Sequence, residues 1–206
     1  MKNFNSTTAN ESITLAAMPV ASENEKGSQA SCTLNISNYL ASNEDDPMVY
    51  VGTYRKYNEG SIYGKWISLS ACGDYDTFYE VCREIHKDEE DPELMFQDFQ
   101  GFPSSMYSEC FGRETFEKIM DWYDHFTEKG EAFEVWFNLF NDEDFDHFDD
   151  DYMGEYESLE EYAEQLVDEC YDLPEFAKTY FDYGKFARDL SYDNYYEDSG
   201  YVFYRH

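Results

Sequence analysis

The polar and apolar positions of this chain change rhythm several times, and each change marks an element. Residues 1–47 are rich in Ser, Asn, Thr and Ala with no sustained period, which reads as a mobile N-terminal tail closed by Pro47. From Met48 the pattern becomes that of a strand. Val49, Tyr50, Val51, Thr53 and Tyr54 are strand formers, and Asn58-Glu59-Gly60 supplies a turn. Ile62, Tyr63, Trp66, Ile67 and Leu69 then resume, which predicts a β-hairpin. Thr77 with Glu80 reads as a capping box for a helix that carries Phe78, Val81, Cys82 and Ile85 on one face. The acidic residues 88–91 and Pro92 end that helix, and Leu94, Phe96, Phe99 and Phe102 predict a strand or extended edge. Phe116, Ile119, Met120 and Tyr123 form one helical stripe, and Ala132, Val135, Trp136, Leu139 and Phe140 form another. Glu128-Lys129-Gly130 between them predicts an αα-hairpin. Pro174 sits where a first-turn proline would, ahead of Phe176, Ala177, Tyr180 and Phe181. Gly184 interrupts, Phe186 and Leu190 continue a helical turn, and Tyr201, Val202, Phe203 and Tyr204 read as a final strand. The fold class expected from this order is α+β, and the length fits one to three small domains.

One stretch, 142–172, breaks the usual rules. It holds Asp142, Glu143, Asp144, Asp146, Asp149, Asp150, Asp151, Glu155, Glu157, Glu160, Glu161, Glu164, Asp168, Glu169 and Asp172, with no Lys or Arg. Acidic runs are ordinarily poor in aromatics and disordered. Here Phe145, Phe148, Tyr152, Tyr156, Tyr162 and Tyr171 are threaded through the run. Ser158 with Glu161 is a capping box, and Leu159, Tyr162, Ala163, Leu166, Val167 and Cys170 recur at the spacing of a buried stripe. The result is a folded helix with an anionic outer face. Glu160, Glu164 and Asp168 stand at i, i+4 spacing, where like charges cost roughly 0.2–0.5 kcal/mol per pair. Two readings follow: a solvated surface that serves solubility, or a surface whose charge is its function.

Charge favours the second. The 206 residues carry a formal net charge of -32, and aromatics make up 19% of them. Rings in that proportion bury a core despite the self-repulsion. The charge excludes nucleic acid and anionic membrane as direct partners and points to a strongly basic surface, most often one that binds nucleic acid. B-DNA carries one negative charge per about 1.7 Å of axis, so this charge matches about 54 Å of duplex. Residues 1–47 hold two lysines against six carboxylates, which leaves -28 for the body, or about 48 Å.

Candidate chemistry is otherwise sparse. Five cysteines, odd in number, widely spaced and without C-x-x-C, point to a reducing cytoplasm. No apolar run reaches the roughly 18–20 residues of a membrane span, and the short apolar patch 13–21 lacks the cationic start of a signal peptide. Asp142, Asp144 and Asp146 begin like an EF-hand loop, but His147 and Met153 stand where Gly and Glu are required. The histidines are scattered, and no hydrolase, Walker or dinucleotide motif occurs. No catalytic residue, metal site or cofactor is expected.

Three stretches carry a resemblance. Val49-Tyr50-Val51 through Lys56-Tyr57-Asn58-Glu59-Gly60 to Gly64-Lys65-Trp66-Ile67 resembles the opening hairpin of the ArdA antirestriction family. Tyr152-Met153-Gly154-Glu155-Tyr156-Glu157-Ser158-Leu159-Glu160-Glu161-Tyr162-Ala163 resembles that family's acidic motif. Residues 183–190, ending in Arg188-Asp189-Leu190, are similar to its C-terminal element. The resemblance covers 48–206 and departs from the family at 1–47. It implies a three-part elongated protein: an N-terminal α/β domain at 48–107, a helical middle at 108–148 and an acidic C-terminal domain at 149–206 that dimerises. It also implies a bent rod whose carboxylates imitate DNA phosphates. The implied partner is the DNA-binding groove in the methyltransferase core of type I restriction-modification enzymes, and the implied carrier is a mobile element such as a conjugative transposon.

The residues add reasons of their own for a homodimer. Tyr180, Tyr183, Phe186, Arg188, Tyr201 and Phe203 belong to a segment dense in tyrosine and phenylalanine, the composition of an interface core. Lys178, Lys185, Arg188 and Arg205 also gather there. The leading expectation is a non-enzymatic, cytoplasmic DNA mimic. The alternative is an acidic chaperone or adaptor for a basic DNA-binding protein, and a metal-dependent hydrolase comes third.

Overall fold

The hairpin forms at the expected place. Strand β1 (Met48–Thr53) pairs antiparallel with β2 (Lys65–Ser68), with Val49 opposite Ile67 and Tyr50 opposite Trp66. The connection is not the expected simple turn. A short helix α1 (Tyr54–Asn58), capped by the Thr53 hydroxyl, precedes Gly60. The second strand therefore starts later than the pattern suggested, and Ile62 and Tyr63 are exposed. Gly64 is needed for closeness: a Cβ there would lie 2.4 Å from the Val51 carbonyl oxygen and 2.6 Å from the Tyr50 ring.

The expected edge is β3 (Leu94–Gln100), which pairs antiparallel with β1 and completes a sheet of order β2-β1-β3. Leu69 leaves the sheet to open α2 (Leu69–Cys72). Helix α3 (Tyr75–Ile85) buries Phe78, Val81, Cys82 and Ile85 as expected, but its cap is Asp74 rather than Thr77. The Asp74 carboxylate accepts from the Thr77 N–H at 2.8 Å and from its hydroxyl at 3.1 Å. The carboxylate three residues ahead outcompetes the threonine, whose hydroxyl becomes a donor to it.

Helix α4 (Arg113–Lys129) and helix α5 (Glu131–Phe140) form the expected αα-hairpin. Gly130 makes the corner at φ 75°, a conformation that favours glycine. The buried stripe of α4 is Phe116, Ile119 and Trp122, and that of α5 is Ala132, Phe133, Trp136 and Phe137, so Leu139 faces outward. A short helix α6 (His147–Asp151) and strand β4 (Tyr152–Glu155) follow. Helix α7 (Leu159–Cys170) starts at Ser158 as expected and buries Tyr162, Ala163 and Val167, while Cys170 is exposed.

After Pro174, α8 (Glu175–Thr179) is brief, and its rings point outward: Phe176 is 77% and Tyr180 74% exposed. Gly184 does not interrupt but lies in the first turn of α9 (Tyr183–Tyr192). Two strands that the pattern did not mark, β4 and β5 (Tyr195–Asp198), flank the expected last strand β6 (Tyr201–Tyr204) in an antiparallel sheet of order β4-β6-β5.

The computed structural model describes residues 34–41 and 46–206. The rest of the expected tail, 1–33 and 42–45, lies outside the described residues. Its described part is structured. Leu40 bridges Ile67, Tyr39 accepts from the Ser68 N–H at 2.9 Å, and the Tyr123 hydroxyl donates to Asp46 at 3.2 Å. The fold is α+β. One core runs from Val49 through Phe148 and takes in Phe203, and a smaller one joins Tyr162, Ala163, Ala187, Leu190 and Val202. Rings pack across 107/108: Phe111 meets Phe96 at 5.0 Å and Phe78 at 5.5 Å, and Phe116 meets Phe78 at 5.5 Å.

Candidate anionic interface

The aromatic residues inside the acidic run are its anchors. Phe145 and Phe148 are each 4% exposed. The Phe145 ring meets Phe133 at 5.7 Å and Phe137 at 5.8 Å, while Phe148 meets Trp136 at 5.9 Å and Tyr152 at 5.2 Å. With these rings held in the core, the residues between them turn outward, and Glu143, Asp144, Asp146, Asp149 and Asp150 are exposed.

Two members of the run do not face solvent freely. Asp151 is 3% exposed and accepts from the Trp136 Nε1–H at 2.8 Å and from Arg205 at 2.6 Å. Asp142 accepts from the other arm of the same guanidinium, and from His147 Nδ1 at 2.9 Å. Arg205 lies over the Phe140 ring at 5.0 Å, so one cation closes the two ends of the 142–151 segment. Burial alone would raise the Asp142 carboxyl. Arg205, the Asp144 N–H and His147 offset this and hold it well below the usual carboxylate range. The Asp142 hydrogen bond, helped by Asp144, raises His147. Asp142 and Asp151 therefore serve the fold.

The charge that lacks cations within the run finds some outside it. Lys129 donates to Asp149 at 2.6 and 2.8 Å, Lys118 reaches Glu143, and Lys178 pairs with Asp168 at 2.6 Å. Asp150, Glu155, Glu157, Glu160, Glu161, Glu164, Glu169 and Asp172 are exposed and have no Lys or Arg partner among the described residues. On α7 the cap is firm: Ser158 accepts from the Glu161 N–H at 3.2 Å. The Glu161 carboxylate reaches back to the Glu157 N–H at 2.6 Å, one residue beyond the usual reciprocal partner.

A second row of carboxylates lies in α4, outside the run that the acidic density singled out. Glu114, Glu117, Asp121, Asp124 and Glu128 are exposed and recur at the alternating three- and four-residue spacing of one helix face. The signal was present in the sequence as that spacing. From the helical rise the row is about 21 Å long, with a carboxylate every 5 Å or so. It stands beside the acidic segment: an open cleft of about 450 Å3 is lined by Asp121, His125, Glu143, Asp144, Phe145 and Asp146. The structure thus brings Asp121 of the α4 row beside Glu143, Asp144 and Asp146, while Lys118 and Lys129 of the same helix pair with Glu143 and Asp149.

Of the residues expected at a dimer contact, Tyr180 and Arg188 are exposed, and Tyr183, Phe186 and Tyr201 are half-buried. Phe203 is fully buried against Phe140 and Tyr152 of the same chain. No helix among the described residues is long and apolar enough to cross a membrane.

No curated protein matches the chain. The family model described as "Antirestriction protein (ArdA)" matches residues 49–203. That span takes in both sheets, the αα-hairpin, the α4 row and the acidic segment. By this match over most of its length, the chain belongs to the ArdA family of antirestriction proteins.

Proposed function

We propose that this protein inhibits restriction without catalysis, as a mimic of B-form DNA that occupies the DNA-binding groove of a type I restriction-modification enzyme. Modification is blocked with restriction, because both need the same groove. The observation that carries the reading is the acidic surface of 143–150 and α4, which meet at Asp121 and whose exposed carboxylates are held outward by buried rings. Phosphate contacts supply most of the sequence-independent affinity for DNA, so an imitator need not imitate bases. A surface kept only for solubility would not need anchors of this kind.

The reading includes a homodimer. Phe176 and Tyr180 present large rings to solvent in the C-terminal region, with Tyr183, Phe186, Arg188 and Tyr201 as further candidates, while Phe203 is withdrawn to the core. A two-fold contact there would set the anionic faces of both protomers side by side, and the protein would act in the cytoplasm, where restriction occurs.

The test is a gel-shift competition on a purified type I enzyme. The protein is expected to displace duplex DNA and to stop both cleavage and methylation. Undisturbed cleavage at saturating protein would sink the mimic and favour an acidic adaptor for some other basic protein.

A further inference from the structure

Away from the acidic run, a cleft of about 700 Å3 opens between the start of α1, the first half of α3 and the loop ahead of α4. Its walls combine two kinds of group. Tyr54, Tyr75 and Tyr79 supply rings, and Asp91, Glu93 and Glu109 supply carboxylates. Beneath them Phe96 and Phe111, both buried and 5.0 Å apart, form an apolar floor. No Lys or Arg lines the cleft.

The chain's own arginines show what these rings accept. Arg113 lies 4.9 Å over Tyr75 while it donates to Asp76, and Arg83 lies 5.9 Å over Tyr79 while it stands 3.6 Å from Asp91. Both guanidiniums use the pairing of a tyrosine face with a carboxylate. The third ring, Tyr54, has no such cation among the described residues, and Glu93 and Glu109 have no ion pair there. Burial first, then Cys110, Glu109 and Glu93, hold the Tyr54 phenol above its ordinary range, as expected of a ring that faces those carboxylates.

We propose that this cleft binds an arginine side chain presented by a protein partner, with the guanidinium against Tyr54 between Glu93 and Glu109 and the stem on the apolar floor. Other occupants fit less well. A phosphate or nucleotide is repelled by the carboxylates. A hydrated divalent cation prefers an all-oxygen cage to aromatic walls. A guanidinium suits both, because it stacks on rings and pairs with carboxylates in a planar fork. The proposal rests on the reading of the chain as an inhibitor only for the arginine's source, since a DNA-binding groove is rich in such side chains. It adds a fixed anchor to an otherwise diffuse electrostatic contact.

The experiment uses full-length protein with isotope-labelled tyrosine and follows the ring resonances by NMR. N-acetyl-arginine amide should give saturable shifts at Tyr54, Tyr75 and Tyr79. The neutral citrulline amide should bind about tenfold more weakly, the worth of one desolvated cation–π pair. Replacing Glu93→Gln with Glu109→Gln, or Tyr54→Leu, should weaken arginine binding by a similar factor. Shifts at these rings no larger than at exposed Tyr192, or equal binding of the two amides, would overturn the proposal, as would variants that bind like the parent. A protein that takes the arginine amide in this way yet fails to inhibit any type I enzyme would remove the antirestriction mechanism and leave the cleft assignment standing.

Discussion

Arg205 clamps the acidic run from outside it. Its guanidinium is shared by Asp142 and Asp151, and the Asp151 side chain is only 4% accessible. Removing one partner of a buried pair strands the other charge, which costs about 3–5 kcal/mol. Arg205→Ala should fall near the lower end, about 3 kcal/mol in urea unfolding, because Trp136 still donates to Asp151. Lys178→Ala breaks an open, solvent-screened pair with Asp168 and should cost far less. Equal losses for the two variants would refute the assignment of Arg205 as the clamp. A second residue, His86, contributes its own pH dependence. His86 is fully buried, with Nε2–H donating to the Val51 carbonyl at 3.2 Å and Nδ1 accepting from Lys56 at 3.0 Å. Burial, with Lys56, lowers its pKa, although the Val51 carbonyl and Glu89 act in the opposite sense. The folded state therefore holds this imidazole neutral. Its contribution is fully present above the ordinary histidine value of about 6.5 and is lost as pH falls from there through the folded pKa. Acidification also relieves the repulsion of a chain at -32, so the imidazole part must be read as a difference. Between pH 7 and 5, the stability of the parent relative to His86→Gln should decline, and a constant difference would count against a neutral buried His86.

At the scale of elements, periodicity told most where a stripe was long. The hairpin strands, α3, the αα-hairpin and α7 were all legible, because each presents a run of apolar positions at one period. The two strands that escaped, β4 and β5, have four residues each, and β4 carries Gly154 at φ 135° and an irregular register against β6. Such strands exist because β6 brings Val202 and Phe203 into the core, a tertiary cause with no local signature. Thr77 was expected as the cap of α3, and the hydrogen bonds give that place to Asp74. The candidate site was half legible. The density of acid in 142–172 was plain, whereas the α4 row was hidden by Arg113, Lys118 and Lys129 lying among its carboxylates. The clamp was not legible at all, since its pairs span 54 and 63 residues. A prediction follows for the two rows. Neutralising Glu160, Glu161 or Glu164 singly should change inhibition little, since each is one exposed charge among many. Replacing Glu117→Gln, Asp121→Asn and Asp124→Asn together should raise the half-inhibitory concentration by about tenfold, if each lost contact is worth roughly 0.5 kcal/mol. A triple variant as potent as the parent would take α4 out of the interface. A single change that abolishes inhibition while the fold survives would replace the distributed surface with a specific site.

For the whole molecule, charge and assembly are the measurable properties. Binding that imitates DNA should weaken steeply between about 50 and 200 mM salt, with a slope shallower than that of duplex DNA because separate carboxylates condense fewer counterions. Affinity that stays level over that range would point to an apolar interface instead. Sedimentation equilibrium at low micromolar concentration and physiological salt should return twice the chain mass of 24.4 kDa. Phe176→Ser with Tyr180→Ser, which removes two exposed rings and leaves both cores untouched, should shift that mass towards the monomer. A parent that is monomeric under those conditions, or a double variant that still dimerises fully, would remove this surface from the assembly.

The span between Asp142 and Arg205 also sets a timetable. During synthesis the acidic segment emerges with Asp142 and Asp151 uncompensated, and their shared counter-ion is 63 residues behind Asp142. At about 5–20 residues per second, that interval lasts from about 3 to 13 s. Phe203 arrives equally late to its place against Phe140 and Phe148. The nascent chain can therefore form its first sheet and αα-hairpin and seat Phe145 and Phe148 on Phe133, Trp136 and Phe137, while the ends of the segment wait for their cation. The clamp on the most strongly charged part of the protein is thus supplied by the same late strand end that brings Phe203 into the core.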